Sequence, residues 1–470
     1  MEFNQLGLMN ILFTTSAAPK ISPCKTAEKR PPLGLGSLMS IVRNKGHKVF
    51  FIDNYLKPSN FIEQGYLQRN KIDFVGIYAN TICYRDTLRM FKEIEKLRKK
   101  GLWNGKIIVG GPHTTVALDT IPEFVDYIVQ GEGEKAILEI INNKVKERII
   151  RKERIKDLDS LPFQPWDIFN KLPYHYFCRW MDEKPIFTMN TSRGCPFNCA
   201  FCSVGSIWGT EYTYFSASRI ISEIEYLIKN YGAKGIYFRE DNFTLNAQRT
   251  QEFCEKLIEK KLNIAWACET RVSNLSEELV KLMSTAGCKA FFLGVESGSQ
   301  KVLNILNKNI TVEQTRNVLG WCKKYKINAF CSLITGVPGE TYEDYLLTKK
   351  LMDELKPYVY GFGPFVGIPN SPLYKYVLDN KLYEHIDDLG LLYLPGYDVK
   401  VRFLLGESSK RFVDYKFKQR TDFDKHLLKE LRKQIPARVL KSLKKSVGRI
   451  LPKPIKSKIK ALIKCPKLPF

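Results

Sequence analysis

Short apolar runs alternate with amphipathic stretches along most of this chain. Residues 10–14 (NILFT) form a run without alternation, the pattern of a strand covered on both faces in a parallel sheet. A loop rich in Pro and Lys follows. Leu35, Leu38, Met39 and Val42 then recur at helical spacing, with Gly46 placed to stop the helix. Further strands are expected over 48–52, 74–78, 106–109 and 127–129, with a helix through Leu88, Phe91, Ile94 and Leu97. This alternation predicts an α/β fold over residues 1–145, a doubly wound, Rossmann-like sheet with its ligand at the carboxyl ends of the strands.

A basic connector rich in Pro and aromatics covers 146–185, and the alternation then restarts. Strands are expected over 186–189, 235–238, 264–268, 290–295, 329–333 and 359–365, with helices beginning near Ser218, Gln248, Ser276, Val312 and Tyr342. Ser276 reads as an N-cap ahead of Leu279, Val280, Leu282 and Met283. Six βα units rather than eight predict a partial barrel over 186–375, with active groups at the carboxyl ends of its strands. A small cap is expected over 376–424. From 425 to 470, apolar residues recur every fourth position and Pro436, Pro452 and Pro454 interrupt them, giving short amphipathic helices.

Charge changes the picture mainly at that tail. The chain of 470 residues carries a net +25, and the tail alone holds fifteen Lys and Arg against one acid, Glu430. Basic polar faces on short amphipathic helices suit an anionic membrane surface. Docking onto the barrel or a nucleic-acid contact are the alternatives. No apolar run reaches the roughly 18 residues of a membrane span, and the first residues lack the basic start of a signal peptide. The expected setting is the cytoplasm, peripheral to the inner face of the membrane.

The candidate chemistry lies in TSRGCPFNCAFCSVGSIW, where Cys195, Cys199 and Cys202 are spaced C-x3-C-x2-C. A cubic 4Fe–4S cluster normally takes four Cys. The nearest others are Cys178 and Cys254, so a three-Cys site leaves one iron open to an outside ligand. A zinc site with a distant fourth ligand is the alternative. Zinc knuckles, however, pair a CxxC with a second CxxC or with His, and neither is present.

The stretch resembles the cluster loop of the radical S-adenosylmethionine (SAM) enzymes. In that family SAM chelates the open iron, and the reduced cluster cleaves it to a 5′-deoxyadenosyl radical. The strand ends resemble the family's SAM-contacting elements in their order along the chain. FREDN (238–242) stands where many members carry a Gly-Gly-Glu element on the SAM amino group, which implies Glu240, with Asp241 as the alternative. WACETR implies Arg271 near the SAM carboxylate. GVESGS implies Glu296 on the ribose hydroxyls. ITGVPGE implies Gly336 and Val337 on the adenine side, with Phe201 as an aromatic beside the ring. Taken singly, Glu296 reads equally as a helix cap and Arg271 as a surface ion pair.

PPLGLG, GGPH and GEGE resemble the strand ends of the cobalamin-binding domain in the branch that holds the anaerobic cyclases and cobalamin-dependent methylases. The resemblance implies Leu35, Gly36, Gly110, Gly111, Gly131 and Gly133 around the corrin, with His113 facing corrin or substrate. The D-x-H-x-x-G motif that supplies a lower cobalt ligand is absent, so corrin is expected with no protein His on cobalt. The alternative is a domain that lines a substrate cavity and binds no corrin. The resemblance thus implies an enzyme with a 4Fe–4S cluster, SAM and cobalamin. It would act on an unactivated carbon of a small-molecule or lipid-like substrate, with flavodoxin or ferredoxin as electron donor. Methyl transfer is the first expectation, radical cyclisation, oxidation or rearrangement the second. An RNA-modifying or nucleic-acid-binding protein is the reading from another class.

Overall fold

Strand β1 (Asn10–Thr15) is buried along nearly its whole length. It pairs in parallel with β2 (Lys48–Asp53) on one side and β3 (Phe74–Tyr78) on the other. Beyond β3 follow β4 (Lys106–Gly110), β5 (Tyr127–Gln130) and β6 (Ile149–Arg151), giving the order β2-β1-β3-β4-β5-β6. The chain direction across the sheet reverses between β1 and β3, and such a switch point opens a crevice at the strand carboxyl ends. Alternate residues serve the two faces. Phe13, Ile108 and Val129 join Met39 and Val42 of α1 (Leu33–Asn44) on one face. Leu12, Val75 and Ile107 join Phe91 and Ile94 of α2 (Tyr84–Lys99) on the other. Helix α3 (Glu134–Ile141) packs beside α1.

Strand β6 lies in the stretch read from the sequence as connector. Only Ile150 of its three residues is buried, and three residues among basic neighbours carry no strand pattern. The rest of the connector is a wedge. Trp166 is fully buried, and its Nε1 donates to Glu223 Oε1 at 3.0 Å.

The second sheet holds β7 (Ile186–Met189), then, after the short antiparallel ribbon of β8 (Ser192–Arg193) and β9 (Thr213–Tyr214), β10 (Gly235–Phe238), β11 (Ala265–Thr270), β12 (Cys288–Glu296), β13 (Asn328–Thr335) and β14 (Val359–Pro364). Its six long strands are parallel and lie in sequence order, from β7 at one edge to β14 at the other, as a partial barrel. Helices α4 (Ala217–Tyr231), α5 (Ala247–Glu259), α6 (Glu277–Thr285), α7 (Val312–Lys324) and α8 (Tyr342–Leu355) follow the strands. Ser276 caps α6, accepting from Leu279 N at 3.2 Å. Thr311 and Thr341 open α7 and α8 with reciprocal capping boxes.

This computed structural model describes residues 7–17, 28–365, 367–383, 385–386 and 392–393. Most of the expected cap over 376–424 and all of the tail over 425–470 lie outside the described residues. Among the described residues no helix is long and apolar enough to cross a membrane.

Candidate active site

The ribbon of β8 and β9 closes the two ends of a loop that carries all three clustered cysteines. Gly194 begins it at φ +82, and a Cβ there would stand 2.1 Å from the Glu211 carbonyl oxygen, so only glycine fits. The loop is pinned in place by its backbone. Ala200 N–H donates to the Leu306 carbonyl at 2.8 Å, and Leu373 N–H donates to the Ala200 carbonyl at 2.8 Å. Cys199 is buried, and Cys195 and Cys202 are partly exposed.

Two donors aim at these sulfurs. Arg271 Nη1 donates to Cys199 Sγ at 3.1 Å, and Val204 N–H donates to Cys202 Sγ at 3.4 Å. The Arg271 guanidinium also lies 4.1 Å over the Phe197 ring. Burial pushes the Cys195 thiol up, and that of Cys202 to about 11. Iron binding there must therefore displace protons. Cys195, Cys199 and Cys202 offer three thiols on one loop. A cubic cluster takes each thiolate on a separate iron, so this all-sulfur donor set fits a cluster with one iron left open.

The expected SAM residues gather around this loop. Glu296 ends β12 at φ +64, where the β12–β13 register shifts. A bulge of this kind re-aims a side chain beside a site. Its carboxylate accepts from Lys308 Nζ at 2.7 Å, and that ammonium lies 5.6 Å from the Phe201 ring. Phe201 packs in one apolar cluster with Ala200, Val337 and Phe365. Gly336, at φ +81, turns the chain so that its N–H and that of Val337 both donate to Glu340 Oε2. Phe201, Glu296, Gly336 and Val337 thus form one neighbourhood, and Arg271 joins it through Cys199.

Glu240 and Asp241 differ more than their adjacency suggests. Glu240 is buried and committed, accepting from Thr191 Oγ1 at 3.0 Å and Arg249 Nη2 at 3.4 Å. Asp241 opens onto a cavity; burial and the neighbouring Glu240 raise its carboxyl to about 6.

That cavity lies between the carboxyl ends of the two sheets and holds about 1590 Å³ of empty space, its solvent-open mouth included. Leu35, Gly110, Gly111, Gly131 and Gly133 line one side, and Arg239, Glu240, Asp241 and Glu269 the other. It runs down the face of the first sheet along Phe13, Gly76, Ile108 and Val129. At Gly34 and Gly131 a Cβ would meet nothing within 4 Å. Side chains at these two positions would enter this open space, so the glycines leave room for a large ligand such as a macrocycle against the strand ends.

Two expected residues stand off the wall. A Cβ on Gly36 would lie 2.1 Å from Gln164 Oε1, so this glycine serves the packing of α1 on the connector. His113 is fully buried, stacked 3.6 Å from the Tyr84 ring. Its Nδ1 pairs with Thr81 Oγ1 at 3.1 Å and its Nε2 with Thr120 Oγ1 at 2.9 Å. Both ring nitrogens are taken, and burial lowers its pKa to about 4. Neither nitrogen is free for cobalt or substrate.

Sequence reading missed Lys308, Arg249 and Arg193, the cations that hold the acids. Lys308 lies twelve residues from Glu296 across a helix, and no local pattern marks such a pair. Arg193 stands beside the cysteine motif, in TSRGC, and its place there was the one available signal.

A family model for the radical SAM superfamily matches residues 189–352, and one for the B12 binding domain matches residues 25–141. An uncharacterized methyltransferase of Pyrococcus horikoshii is 30% identical over 390 residues, covering 77% of this chain and 83% of that protein. The anaerobic magnesium-protoporphyrin IX monomethyl ester cyclase of Rubrivivax gelatinosus is 26% identical over 379 residues, 73% of this chain and 66% of that one. Among solved structures, the cobalamin-dependent S-adenosylmethionine radical enzyme OxsB, with aqua-cobalamin and S-adenosylmethionine bound, matches with a TM-score of 0.69 at 17% identity. The match covers 83% of this chain and 65% of that one, a likeness of fold.

Proposed function

From the premise that the chain belongs to the radical SAM superfamily, in the branch with a B12-binding domain ahead of the barrel, we propose that it transfers a methyl group to an unactivated carbon of a small-molecule or lipid-like substrate. The observation that carries this reading is the shared cavity. One wall is the glycine-lined strand ends of the first sheet, and the other is the acid-bearing strand ends of the barrel beside the cysteine loop. On this reading the glycines proposed for the corrin and Asp241, proposed for SAM, would face one space, as a reaction that uses both cofactors requires.

Cys195, Cys199 and Cys202 would hold the 4Fe–4S cluster, and Leu35, Gly110, Gly111, Gly131 and Gly133 the cobalamin. Bound there, these groups would supply one-electron reducing power toward SAM and a methyl carrier. The chain's own residues bind and orient. Asp241, which faces the cavity, would accept from the SAM amino group. Arg271, beside Cys199, would pair with the SAM carboxylate. Glu296 would accept from the ribose hydroxyls, and Phe201 and Val337 would cover the adenine and exclude water. Arg239 and Glu269 face the same cavity, and Tyr237 OH donates to Glu269 Oε1 at 2.7 Å, so this wall would meet the polar part of the substrate.

Radical cyclisation or oxidation is the second reading, favoured by the likeness to the Rubrivivax cyclase. An external one-electron reductant is needed, with flavodoxin or ferredoxin proposed. The basic residues 425–470 would meet an anionic membrane surface on the cytoplasmic side, which vesicle flotation tests. The function is tested by incubating the fully loaded protein with SAM labelled in its methyl group and a fractionated extract of small molecules and lipids. Label should appear in one small molecule, and the cluster-free protein should transfer none. Turnover of SAM without label transfer would favour the second reading.

A further inference from the structure

The loop GEGE, on the cavity wall of the first sheet, reaches across to the stem of the cysteine loop. Glu132 and Glu134 are both buried and both line the cavity. Glu132 accepts from Arg193 Nη1 at 3.2 Å, Arg154 Nε at 3.4 Å and Ile155 N–H at 2.7 Å. Glu134 accepts from Ser37 Oγ at 2.8 Å and forms an ion pair with Arg193 Nη2. Burial alone would raise the Glu134 pKa; Arg193 and Ser37 more than offset it and hold this carboxyl below its ordinary range.

The two arginines grip the cysteine loop at its root. Arg193 is two residues ahead of Cys195, in β8. Arg154 donates to the Arg193 carbonyl at 3.0 Å, to Thr213 Oγ1 at 3.1 Å in β9 and to the Glu211 carbonyl. It thereby ties together both strands that close the loop. Two buried acids thus neutralise two half-buried cations. The acid of each ion pair lies on the cavity wall, and the arginine holds the loop of Cys195, Cys199 and Cys202.

Buried ion networks are weak stabilisers against apolar packing, but they penalise any arrangement that leaves a charge unpaired. The acids therefore cannot shift without the arginines. We infer that Glu132, Glu134, Arg193 and Arg154 are positioning residues that couple the corrin cavity to the cluster loop, so that filling one site favours filling the other. The inference rests on the cofactor assignment proposed above. A ligand that packs on the wall at Gly131 to Glu134 fixes the acids, and these fix Arg193 and the start of the cysteine loop. Such coupling is reciprocal in binding free energy.

The test is a linkage measurement on the full chain under anaerobic conditions. Hydroxocobalamin affinity is measured by equilibrium dialysis with the cluster reconstituted and with the iron stripped, and iron loss to a chelator is followed with and without cobalamin. In the wild type, cobalamin should bind about tenfold more tightly to the cluster-loaded protein, and bound cobalamin should retain iron by a similar factor. Combining Glu132→Gln and Glu134→Gln should bring both ratios within about twofold of one. Arg193→Lys keeps the charge but lacks the fork that spans two acids. It should lower the ratio with iron content retained, and it serves if the double variant does not melt cooperatively. Glu225→Gln, which removes the exposed Lys260 pair on α4, should leave the coupling intact. A wild-type ratio near one, or full coupling in the variants, would overturn the inference. Cobalamin binding without coupling removes this inference alone, whereas no cobalamin binding removes the cofactor assignment with it.

Discussion

Replacing Glu296 by Gln separates a SAM ligand from a merely structural acid. The carboxylate is 5% exposed and 2.7 Å from Lys308 Nζ. At an effective dielectric of about 20 the attraction at that distance is about 6 kcal/mol, much of it cancelled by desolvation of both groups. Gln keeps one oxygen for Lys308 to donate to, so the fold should lose about 2 kcal/mol rather than the 3–5 of a fully broken buried pair. SAM should lose more in relative terms. The ribose hydroxyls would donate to a neutral amide oxygen instead of a carboxylate, a difference of about 1–3 kcal/mol. Affinity should fall roughly 5- to 150-fold. The assay is equilibrium dialysis of SAM against cluster-loaded protein, with iron content and melting temperature measured alongside. Lower stability with unchanged SAM affinity would refute the assignment and leave Glu296 as the partner of Lys308 only.

Asp241→Asn should weaken SAM binding with little change in melting temperature, whereas Glu240→Gln should cost about 2 kcal/mol of stability, because the amide keeps one acceptor oxygen but takes the counter-charge from Arg249, which retains the Thr191 and Phe243 carbonyls; paired melting and dialysis curves separate the two. His113→Ala should leave the electron paramagnetic resonance spectrum of the Co(II) form unchanged, since both ring nitrogens are engaged; loss of a nitrogen superhyperfine splitting would make His113 the cobalt ligand. His113 also sets a pH dependence. Its folded pKa of about 4 lies below the unfolded 6.5, so the unfolded state binds the extra proton. Stability is complete above about 6.5, falls as pH drops through that window, and has lost about 3 kcal/mol below 4. Asp119 opposes this only in part, and denaturant titrations of wild type and His113→Ala across the window should diverge accordingly.

What could be read before folding was what repeats or clusters locally. The strands 74–78, 186–189 and 235–238 coincide with β3, β7 and β10, because uninterrupted apolar runs between turn residues leave few alternatives. The cap at Ser276 was legible for the same local reason. Strand β6 was not, since one buried isoleucine among basic residues has no period. The glycines of PPLGLG show the harder case. Gly34 faces the cavity while Gly36, two residues on, meets Gln164 and Phe169. A glycine that makes room for a ligand and one that makes room for a neighbour look alike in sequence. The different engagement of two adjacent acids was equally hidden. Glu240 is held by Thr191 and Arg249, partners forty-nine and nine residues away, and Asp241 by the Gly194 backbone.

The most direct test of the central claim, methyl transfer that uses both cofactors, is the identity of the SAM-derived products. Protein purified anaerobically with its cluster and cobalamin, given SAM, a low-potential reductant and the substrate fraction that accepts label, should release S-adenosylhomocysteine and 5′-deoxyadenosine in equal amounts. The Cys195→Ala, Cys199→Ala, Cys202→Ala triple variant should release neither. Release of 5′-deoxyadenosine alone by the wild type would contradict methyl transfer, and cluster-level iron in the triple variant would contradict the site itself.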